Sequence, residues 1–280
     1  MKKDILVIKL GGQFLLNSSW INSFMNSLSS LLEKEHSVII VHGGGPQADS
    51  MQNKLSIPIK KINGRRTTDK ETLMVVKMIY KGIINTELVA EAIKHKIQAI
   101  GLSGIDANLA QVSKRPTKKV INQKTGKTES VDFGYVGDIT KINKDILVYL
   151  LEKNYVPIIA CLGVDGSGQI YNINADSLAT AIACQIKASK LIFITDVNGI
   201  QKTKDSPQYF HRLTLKQAKE MIIQKKITDG MIPKIENVET AIKNGIESVQ
   251  IVGALDRESK WSDAFTNQSY GTVIYGGEYE

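Results

Sequence analysis

The stretch Asp4-Ile5-Leu6-Val7-Ile8-Lys9-Leu10-Gly11-Gly12 decides the fold, because it joins a strand to a charged residue and a glycine turn. Residues 5–8 form an apolar run that is typical of a strand buried on both faces. Lys9 then needs an anionic partner, since buried lysines are rare unless they are paired. The two glycines allow the backbone to turn sharply and to approach a ligand. The stretch predicts a phosphate group beside Lys9, and a purely structural turn is the alternative.

A second stretch repeats this arrangement: Val38-Ile39-Ile40-Val41-His42-Gly43-Gly44-Gly45-Pro46. Between the two strands, apolar residues recur with helical spacing over about residues 19–35, and another helix is predicted over about residues 47–54. Strands and helices therefore alternate, with a glycine-rich turn after each strand. This order predicts parallel strands and a ligand site at their carboxyl ends.

The length and composition of the chain fit one large α/β domain or two lobes. The chain has 280 residues, of which 42% are hydrophobic and 23% charged, and this is enough for a sizeable core. No apolar run reaches the roughly 18 residues of a membrane span, and the first strand is too short for a signal peptide. Cys161 and Cys184 lie in apolar surroundings and are expected to be free thiols. We therefore expect a cytoplasmic protein that does not contact a membrane.

The rest of the chain continues the alternation of strands and helices. Strands are predicted at about residues 97–102, 155–162, 190–195, 249–252 and 272–275. Helices are predicted at about residues 70–81, 85–96, 143–153, 177–186, 214–225 and 235–244. The Asn63-Gly64 turn predicts a small hairpin after residues 57–62. No linker interrupts the pattern, which favours two lobes on one continuous sheet.

The net charge of +8 is concentrated in one segment. Six basic residues and no acidic residue lie there: Lys114, Arg115, Lys118, Lys119, Lys124 and Lys127. Thr125-Gly126 predicts a hairpin tip within the segment. The segment is either a solvated loop or a docking surface for an acidic substrate or partner. Nucleic acid is not an expected partner, because no Tyr or Phe is interleaved with the basic residues as a stacking platform.

Four turns at strand ends carry the candidate chemical groups. Two are the glycine turns described above, one carries Asp176 beside Asn172 and Asn174, and the last carries Lys234. The four histidines lack metal-ligand spacing, so no metal site is predicted. Walker and dinucleotide fingerprints are also lacking. Cations and amide-rich turns around an isolated acid suit phosphoryl transfer, which requires charge stabilisation and alignment rather than a covalent nucleophile.

Seven motifs, in order along almost the whole chain, resemble the amino acid kinase family and, within it, the acetylglutamate kinase branch. They are Lys9-Leu10-Gly11-Gly12, His42-Gly43-Gly44-Gly45-Pro46-Gln47, Gly64-Arg65-Arg66-Thr67-Thr68-Asp69, Gly101-Leu102-Ser103-Gly104-Ile105-Asp106, Asn172-Ile173-Asn174-Ala175-Asp176, Thr195-Asp196-Val197-Asn198-Gly199 and Gly230-Met231-Ile232-Pro233-Lys234. The resemblance implies an α/β fold: a three-layer αβα sandwich with an open, mainly parallel, eight-stranded central sheet. It also implies that residues 1–176 form a lobe that binds the amino-acid substrate and dimerises, and that residues 177–280 form a lobe that binds ATP.

The resemblance further implies which residues act on the phosphoryl group. Lys9 and Lys234 would stabilise its negative charge from two sides, and Asp176 would orient both lysines. Gly12 and Gly45 would offer amides to the developing transition state. Amides of two further glycines would contact the phosphates or the acceptor: Gly11 and Gly44.

Two more sets of residues are implied to bind the substrates. Arg66 and Asn172 would hold a carboxylate of the amino-acid substrate, against which Gly44 would also lie. The nucleotide would lie near Lys9, Lys234 and the first glycine turn, and near a set of residues in the C-terminal lobe: Thr195, Asp196 and Gly199.

The implied activity is ATP-dependent phosphorylation of the side-chain carboxylate of N-acetyl-L-glutamate to an acyl phosphate, in arginine biosynthesis. ATP and Mg²⁺ would be the cofactors, and the assembly would be a homodimer. The substrate would be a small N-blocked acidic amino acid.

Two departures from the branch leave the substrate open. The segment between Asp106 and Gly134 is longer and more basic, which is similar to lysine-pathway kinases that act on aminoadipate or glutamate attached to an acidic carrier protein. Such a carrier would dock at Lys114, Arg115, Lys118 and Lys119. Residues 252–257 also lack the Asp-Gly-Arg run that is common in the branch. The alternatives are N-succinylglutamate, a carrier-linked amino acid, and a non-catalytic amino-acid sensor on the same fold.

Overall fold

The computed structural model describes residues 4–34, 36–121, 128–203, 206, 208–228, 230–255, 257–266 and 270–277. The strands are β1 (Ile5–Leu10), β2 (Ser37–His42), β3 (Lys61–Ile62), β4 (Arg65–Arg66), β5 (Ala99–Ser103), β6 (Ala110–Lys114), β7 (Lys118–Ile121), β8 (Thr128–Val131), β9 (Gly137–Ile142), β10 (Val156–Ala160), β11 (Leu162–Val164), β12 (Ile170–Asn172), β13 (Lys190–Ile194), β14 (Arg212–Thr214), β15 (Ser248–Val252) and β16 (Thr272–Tyr275). The α-helices are α1 (Ser18–Glu33), α2 (Gly45–Lys54), α3 (Lys70–Lys77), α4 (Asn85–Lys94), α5 (Asp145–Glu152), α6 (Ala175–Ile186), α7 (Leu215–Ile223), α8 (Met231–Lys243) and α9 (Glu258–Thr266). Within these ranges, none of the helices is both long and apolar enough to cross a membrane.

The main sheet has eight strands in the order β14-β16-β15-β13-β1-β2-β10-β5. All neighbours are parallel except β15 and β16, which are antiparallel. Helices α1, α4 and α9 pack in one group and helices α6, α7 and α8 in another. The predicted αβα sandwich with a mainly parallel eight-stranded sheet is therefore confirmed.

Strand β1 lies inside the sheet, between β2 and β13, because nearly all of its side chains are apolar. Val7, Ile8 and Leu10 are completely buried. Lys9 is only 9% exposed although it carries a charge, and its side chain lies where β1 approaches its carboxyl end. The first stretch of the sequence thus places a cation near the carboxyl end of a central strand of the main sheet.

The lobes predicted at 1–176 and 177–280 contribute opposite halves of this sheet. Strands β1, β2, β5 and β10 come from the first range and strands β13 to β16 from the second. The lobes meet where β1 pairs with β13 over five residues. Helix α6 begins at Ala175, so the predicted boundary falls within its first turn.

An aromatic cluster also joins the two lobes, on helices α1 and α9. The ring centroids of Phe24 and Trp261 are 5.5 Å apart in an edge-to-face arrangement, and those of Phe24 and Phe265 are 5.8 Å apart. Phe14, just before α1, lies 5.9 Å from Trp261. Edge-to-face pairs of this kind add stability beyond the area that they bury. The sequence pattern did not predict α9, whose burial depends on this distant contact.

A four-stranded sheet, β12-β11-β6-β9, lies beyond the carboxyl end of β10. The single strand predicted over residues 155–162 is wrong, since the chain leaves the main sheet at Cys161 and enters β11. Two short hairpins, β3–β4 and β7–β8, complete the strands. The first is the predicted Asn63-Gly64 hairpin. The predicted Thr125-Gly126 tip of the second lies outside the described residues.

The two helices predicted over about residues 70–81 and 85–96 form one continuous helical stretch. A π-helical segment, Met78–Ile84, connects α3 to α4 without a break. Gly82 lies within this segment, where glycine costs a helix only about 1 kcal/mol relative to alanine. Tyr80 and Ile84 are buried on either side of it, and their packing keeps the chain helical. π segments often occur at functional sites.

Candidate active site

Two lysines and one aspartate meet at the carboxyl end of β1. Lys9 Nζ lies 2.8 Å from Asp176 Oδ1, and Lys234 Nζ donates a 2.7 Å hydrogen bond to Asp176 Oδ2. Lys9 and Asp176 Oδ1 form an ion pair, but the two groups are not aligned as in a hydrogen bond. Asp176 lies in the first turn of α6 and Lys234 in the first turn of α8. Each carboxylate oxygen thus faces one ammonium group.

Burial and charge act in opposite directions on this cluster. Burial on its own would raise the pKa of Asp176, but the charges of Lys9 and Lys234 hold it well below its ordinary value of 3.8. Burial lowers the pKa of Lys234, and Lys9 lowers it further, while Asp176 raises it. The carboxylate therefore remains charged at neutral pH and holds together two cations that would otherwise repel.

Two cavities meet at this cluster, and Lys9 and Gly12 line both. The larger has a volume of about 950 Å³ and the smaller about 400 Å³. The larger cavity is lined by the residues predicted to contact the nucleotide: Lys9, Gly11, Gly12, Thr195, Asp196, Gly199 and Lys234. The smaller is lined by those predicted to contact the acceptor: Gly44, Gly45, Arg66 and Asn172. The structure thus brings the predicted residues into two adjoining cavities, with Asp176 contacting both lysines.

Three helices begin at the walls of these cavities. Residues 43–46 at the start of α2 and residues 172–175 with Ser177 at the start of α6 line the smaller cavity. Gly230, Met231 and Lys234, at the start of α8, line the larger one. A helix N-terminus carries partial positive charge and free N–H groups, so it favours anions. The positive ends of three helix dipoles therefore add to the positive charge of the lysines at the site.

Close packing explains three of the predicted glycines. A Cβ atom on Gly12 would lie 2.5 Å from Pro46 Cδ, and one on Gly11 would lie 2.8 Å from the Ile194 carbonyl oxygen. On Gly44 it would lie 2.9 Å from Tyr80 Cδ1. Real Cβ atoms do not approach so closely, so each position excludes a side chain. Gly45 differs, because a Cβ atom there would meet nothing within 4 Å.

Arg66 forms part of the wall of the smaller cavity. Its Nη2 donates to Asp49 Oδ1 at 2.5 Å and to the Gly45 carbonyl at 3.1 Å, and its Nη1 donates to Gln52. The side chain is 7% exposed, so the guanidinium is held in place before any ligand arrives. Asn172 is also buried, and its Nδ2 donates to Thr68 Oγ1 at 3.1 Å.

Arg115 lies in the smaller cavity, although the sequence placed it on a docking surface. Its Nε and Nη2 donate to Asp138 Oδ1 at 2.9 and 2.6 Å, and its guanidinium lies 5.6 Å from the centre of the Phe133 ring. The side chain is only 13% exposed. The guanidinium is therefore mostly covered and already paired, so it adds little free charge to the predicted docking surface. Lys118 and Lys119 are exposed as expected.

The sequence patterns did not predict several other residues that line the cavities. Lys61 and Tyr80 line the smaller cavity, and the larger one gains three cations from loops and helix ends: Lys202, Lys225 and Lys226. No sequence signal marked the three lysines, which stand among ordinary charged residues. Tyr80 could not be predicted to line the cavity, because its position depends on the π-helical segment, which no sequence pattern indicated.

Among the described residues, few side chains at this site could bind a divalent cation. In the described residues, no three His, Cys, Asp or Glu side chains gather as a metal site would require. Both oxygens of Asp176 face lysines. Asp196, which accepts a 2.9 Å hydrogen bond from Thr195 Oγ1, lines the larger cavity. This donor set fits Mg²⁺ that arrives on nucleotide phosphates, because Mg²⁺ at phosphate sites keeps only one or two carboxylate ligands.

The fold and the paired cavities define a phosphotransferase of the amino acid kinase type. The chain belongs to the amino acid kinase family, whose model matches residues 4–253. Over 270 residues it is 40% identical to the acetylglutamate kinase of Carboxydothermus hydrogenoformans, covering 96% of this chain and 91% of that protein. It is 37% identical, over 96% of this chain and 90% of the relative, to the acetylglutamate kinase of Methanosphaera stadtmanae. A crystal structure of a Streptococcus mutans protein is 30% identical, with a TM-score of 0.80 over 99% of this chain and 100% of the other. The predicted family is confirmed.

Proposed function

We propose that this protein transfers the γ-phosphoryl group of ATP to the side-chain carboxylate of N-acetyl-L-glutamate, as an acetylglutamate kinase of arginine biosynthesis. One observation carries the proposal: two cavities of unequal size meet at Lys9, whose ammonium is held by Asp176. A nucleotide in the larger cavity and an acidic amino acid in the smaller one would bring their reacting atoms together at this point. The relatives named acetylglutamate kinase, which match nearly the whole chain, support the same substrate.

The reaction needs charge stabilisation and alignment. A side-chain carboxylate oxygen of the acceptor attacks the γ-phosphorus of ATP, the bond to the β,γ-bridging oxygen breaks, and ADP leaves with an acyl phosphate as the other product. Lys9 lies at the junction of the cavities and Lys234 on the nucleotide side, so their charges would stabilise the transferred group from two directions. Fixed cations and amides of this kind lower the barrier, since they need not reorganise during the reaction.

We propose the remaining roles from the family resemblance and from the residues that line the cavities. Arg66 and Asn172 would bind the second carboxylate of the acceptor, and Gly44 and Gly45 would offer amides beside the attacking oxygen. Gly11, Gly12 and the C-terminal-lobe residues Thr195, Asp196 and Gly199 would contact ATP. Mg²⁺ would enter with the nucleotide phosphates and neutralise part of their charge. We place the reaction in the cytoplasm, with which the free thiols of Cys161 and Cys184 are consistent.

An acceptor carried by an acidic protein is the second candidate. The exposed Lys118 and Lys119 on β7 are three and four residues from Arg115, which lines the acceptor cavity. A negatively charged carrier bound to β7 would therefore lie near the entrance of that cavity. The patch is weaker than its sequence suggests, because Lys114 pairs with Asp132 at 2.9 Å and the partly buried Arg115 pairs with Asp138.

A hydroxamate assay with MgATP is expected to show acyl phosphate formation from N-acetylglutamate by the purified protein. N-succinylglutamate and N-acetylaminoadipate are the comparison acceptors, since both add bulk that a cavity of about 400 Å³ must accommodate. Free glutamate is the control, because it lacks the N-acyl group. If N-acetylglutamate gave no product while another acceptor did, the substrate assignment would be wrong and the reaction class would stand.

No product from any of these acceptors would favour the carrier or a sensor. Reversing the charges of Lys118 and Lys119 to Glu then distinguishes them. Binding to an acidic carrier should weaken, and the loss should be larger at low salt, because exposed charges are screened over about 8 Å at physiological ionic strength. A sensor would bind its amino acid equally well before and after this change.

We further propose a homodimer formed through the β5 end of the sheet. β5 is an edge strand, and exposed apolar side chains stand on the nearby helical segments: Met78, Ile93 and Tyr149. Ile93→Glu is expected to shift the sedimentation coefficient from dimer to monomer. The matched control is Ile223→Glu on α7, where the side chain is 80% exposed. Helix α7 packs on β14, at the edge of the sheet opposite to β5. If both variants sediment like wild type, the interface lies elsewhere.

A further inference from the structure

His42 is a buried histidine between a strand and the glycine turn of the acceptor cavity, and the proposed roles leave it unused. It ends β2, immediately before Gly43, and it is completely buried. Its Nδ1 lies 2.9 Å from the Gly43 carbonyl oxygen. A carbonyl oxygen only accepts hydrogen bonds, so Nδ1 must carry the proton in this contact. The ring therefore donates to the turn.

Asn85 fixes the other side of the ring. Its Nδ2 lies 3.0 Å from His42 Nε2 and 2.8 Å from the Ile158 carbonyl oxygen. Because the Ile158 carbonyl oxygen can only accept a hydrogen bond, the amide nitrogen of Asn85 is assigned to this side. The same nitrogen donates its second hydrogen to His42 Nε2, which must then be unprotonated. Both neighbours thus select the neutral ring with hydrogen on Nδ1. Burial lowers the pKa of His42 to about 4, in keeping with a neutral ring.

The bond to Gly43 sets the direction of the next amide. The Gly43 carbonyl and the Gly44 N–H belong to one peptide unit, and in a trans peptide they point to opposite sides. Because the carbonyl faces the buried ring, the Gly44 N–H points away from that ring. Gly43, Gly44 and Gly45 all line the acceptor cavity. In the described part of the chain, no hydrogen-bond acceptor is found for this N–H.

Packing leaves the peptide little other freedom. Tyr80 and Ile84 of the π-helical segment lie against Gly44 so closely that no Cβ atom fits. Asn85 follows that segment directly and is 2% exposed. The same helical stretch therefore supplies both the surface behind the turn and the amide that orients His42.

We propose that His42 and Asn85 are positioning residues that aim the Gly44 N–H at the reacting carboxylate or phosphoryl oxygen of the acceptor cavity. This inference rests on the proposed function for the identity of that oxygen and on the hydrogen bonds for the direction of the amide. Neither side chain contacts substrate. They act through the Gly43–Gly44 peptide, whose donor is then fixed before the charge develops.

The test compares His42→Leu with His42→Asn. Leucine fills similar space but removes the donor, whereas the asparagine amide reaches the position of Nδ1 and restores a donor. His42→Leu is expected to lower kcat with N-acetylglutamate by about 10- to 100-fold, as misplaced catalytic groups do, with the KM for ATP unchanged. His42→Asn is expected to recover kcat. The control is His95→Leu, a partly buried histidine that directly follows α4 and bonds to Asn26 and Glu91.

A second readout does not depend on the reaction. The N–H residual dipolar coupling of Gly44 reports the orientation of the peptide, and it should change in His42→Leu and return in His42→Asn. A merely structural role would lower the folded fraction, while kcat per folded molecule and the coupling stayed the same.

The ¹⁵N spectrum of the wild-type imidazoles gives a third result that needs no variant. It should show His42 with Nδ1 protonated and Nε2 unprotonated. The opposite tautomer, an unchanged Gly44 coupling in His42→Leu, or no recovery in His42→Asn would overturn the inference. Wild-type protein inactive on N-acetylglutamate would instead overturn the proposed substrate, and the Gly44 coupling and the tautomer would still decide this inference.

Discussion

Asp176→Ala is expected to abolish most activity and to destabilise the protein. The substitution leaves the ammonium groups of Lys9 and Lys234 close together, mostly buried and without their shared counter-ion. Breaking a buried ion pair by removing one partner costs about 3–5 kcal/mol, and here two cations lose the same partner. Urea unfolding should show the loss of stability, and the hydroxamate assay should show the loss of activity.

Asp145→Ala is the matched control for this variant. Asp145 also lies in the first turn of a helix, α5, but it is exposed and remote from both cavities. It should retain activity and lose little stability. If Asp176→Ala were as stable and as active as Asp145→Ala, the carboxylate would not organise the two lysines.

The pH dependence of Asp176→Asn follows from the same pKa. The folded-state pKa of Asp176 lies below its ordinary value, so ionisation stabilises the folded state above about pH 4, and this contribution is lost as the pH falls further. The difference in unfolding free energy between wild type and Asp176→Asn should therefore be constant near neutrality and shrink in acid. A difference that grew in acid would contradict the depressed pKa.

Lys9→Met and Lys234→Met are expected to lower kcat by about 10²- to 10³-fold each, the range seen when one group that stabilises transition-state charge is removed. Methionine keeps most of the apolar length of lysine, so packing is largely preserved. Lys9 lines both cavities and Lys234 only the larger one. We therefore expect Lys9→Met to affect the KM values of both substrates and Lys234→Met that of ATP alone.

Lys190→Met provides a matched control for the lysine variants. Lys190 is a partly buried lysine at the start of β13, where its Nζ donates to the Phe265 carbonyl at 3.0 Å. That end of the strand lies away from the cavities, so kcat should stay close to the wild-type value. Unchanged turnover in either Lys9→Met or Lys234→Met would refute the proposed mechanism.

Local sequence was sufficient to predict parallel strands alternating with helices, whereas the count of eight strands followed from the family resemblance. Strands such as β1 and β2 are mainly apolar runs that glycine follows, and few other structures suit such runs. Helix starts were also local, since Asn174 and Asp69 cap α6 and α3 with their own side chains. These features depend on residues close in sequence, so their physical causes can be read without the fold.

The features that were missed depend on residues distant in sequence. Strand β6 is stabilised by pairing with β9, and α9 by aromatic packing on α1. Arg115 was assigned to the surface because its sequence neighbours are basic, yet its position is fixed by Asp138, 23 residues later. Lys9, Asp176 and Lys234 were grouped from their places at strand-end turns, whereas their individual roles followed from the family resemblance.

The aromatic cluster between α1 and α9 has a mechanical consequence. The lobes proposed at residues 1–176 and 177–280 share the β1–β13 pairing, on which α6 packs, and this cluster of rings, and both attachments oppose sliding and separation. We therefore expect any relative motion of the lobes to be a small rotation about these attachments. Arg65 on β4 and Glu236 on α8, which face each other at 4.0 Å across the acceptor cavity, belong to neither attachment. A rotation of a few degrees would therefore change the width of the cavity entrance most, while Lys9, on the axis strand itself, would stay nearly still.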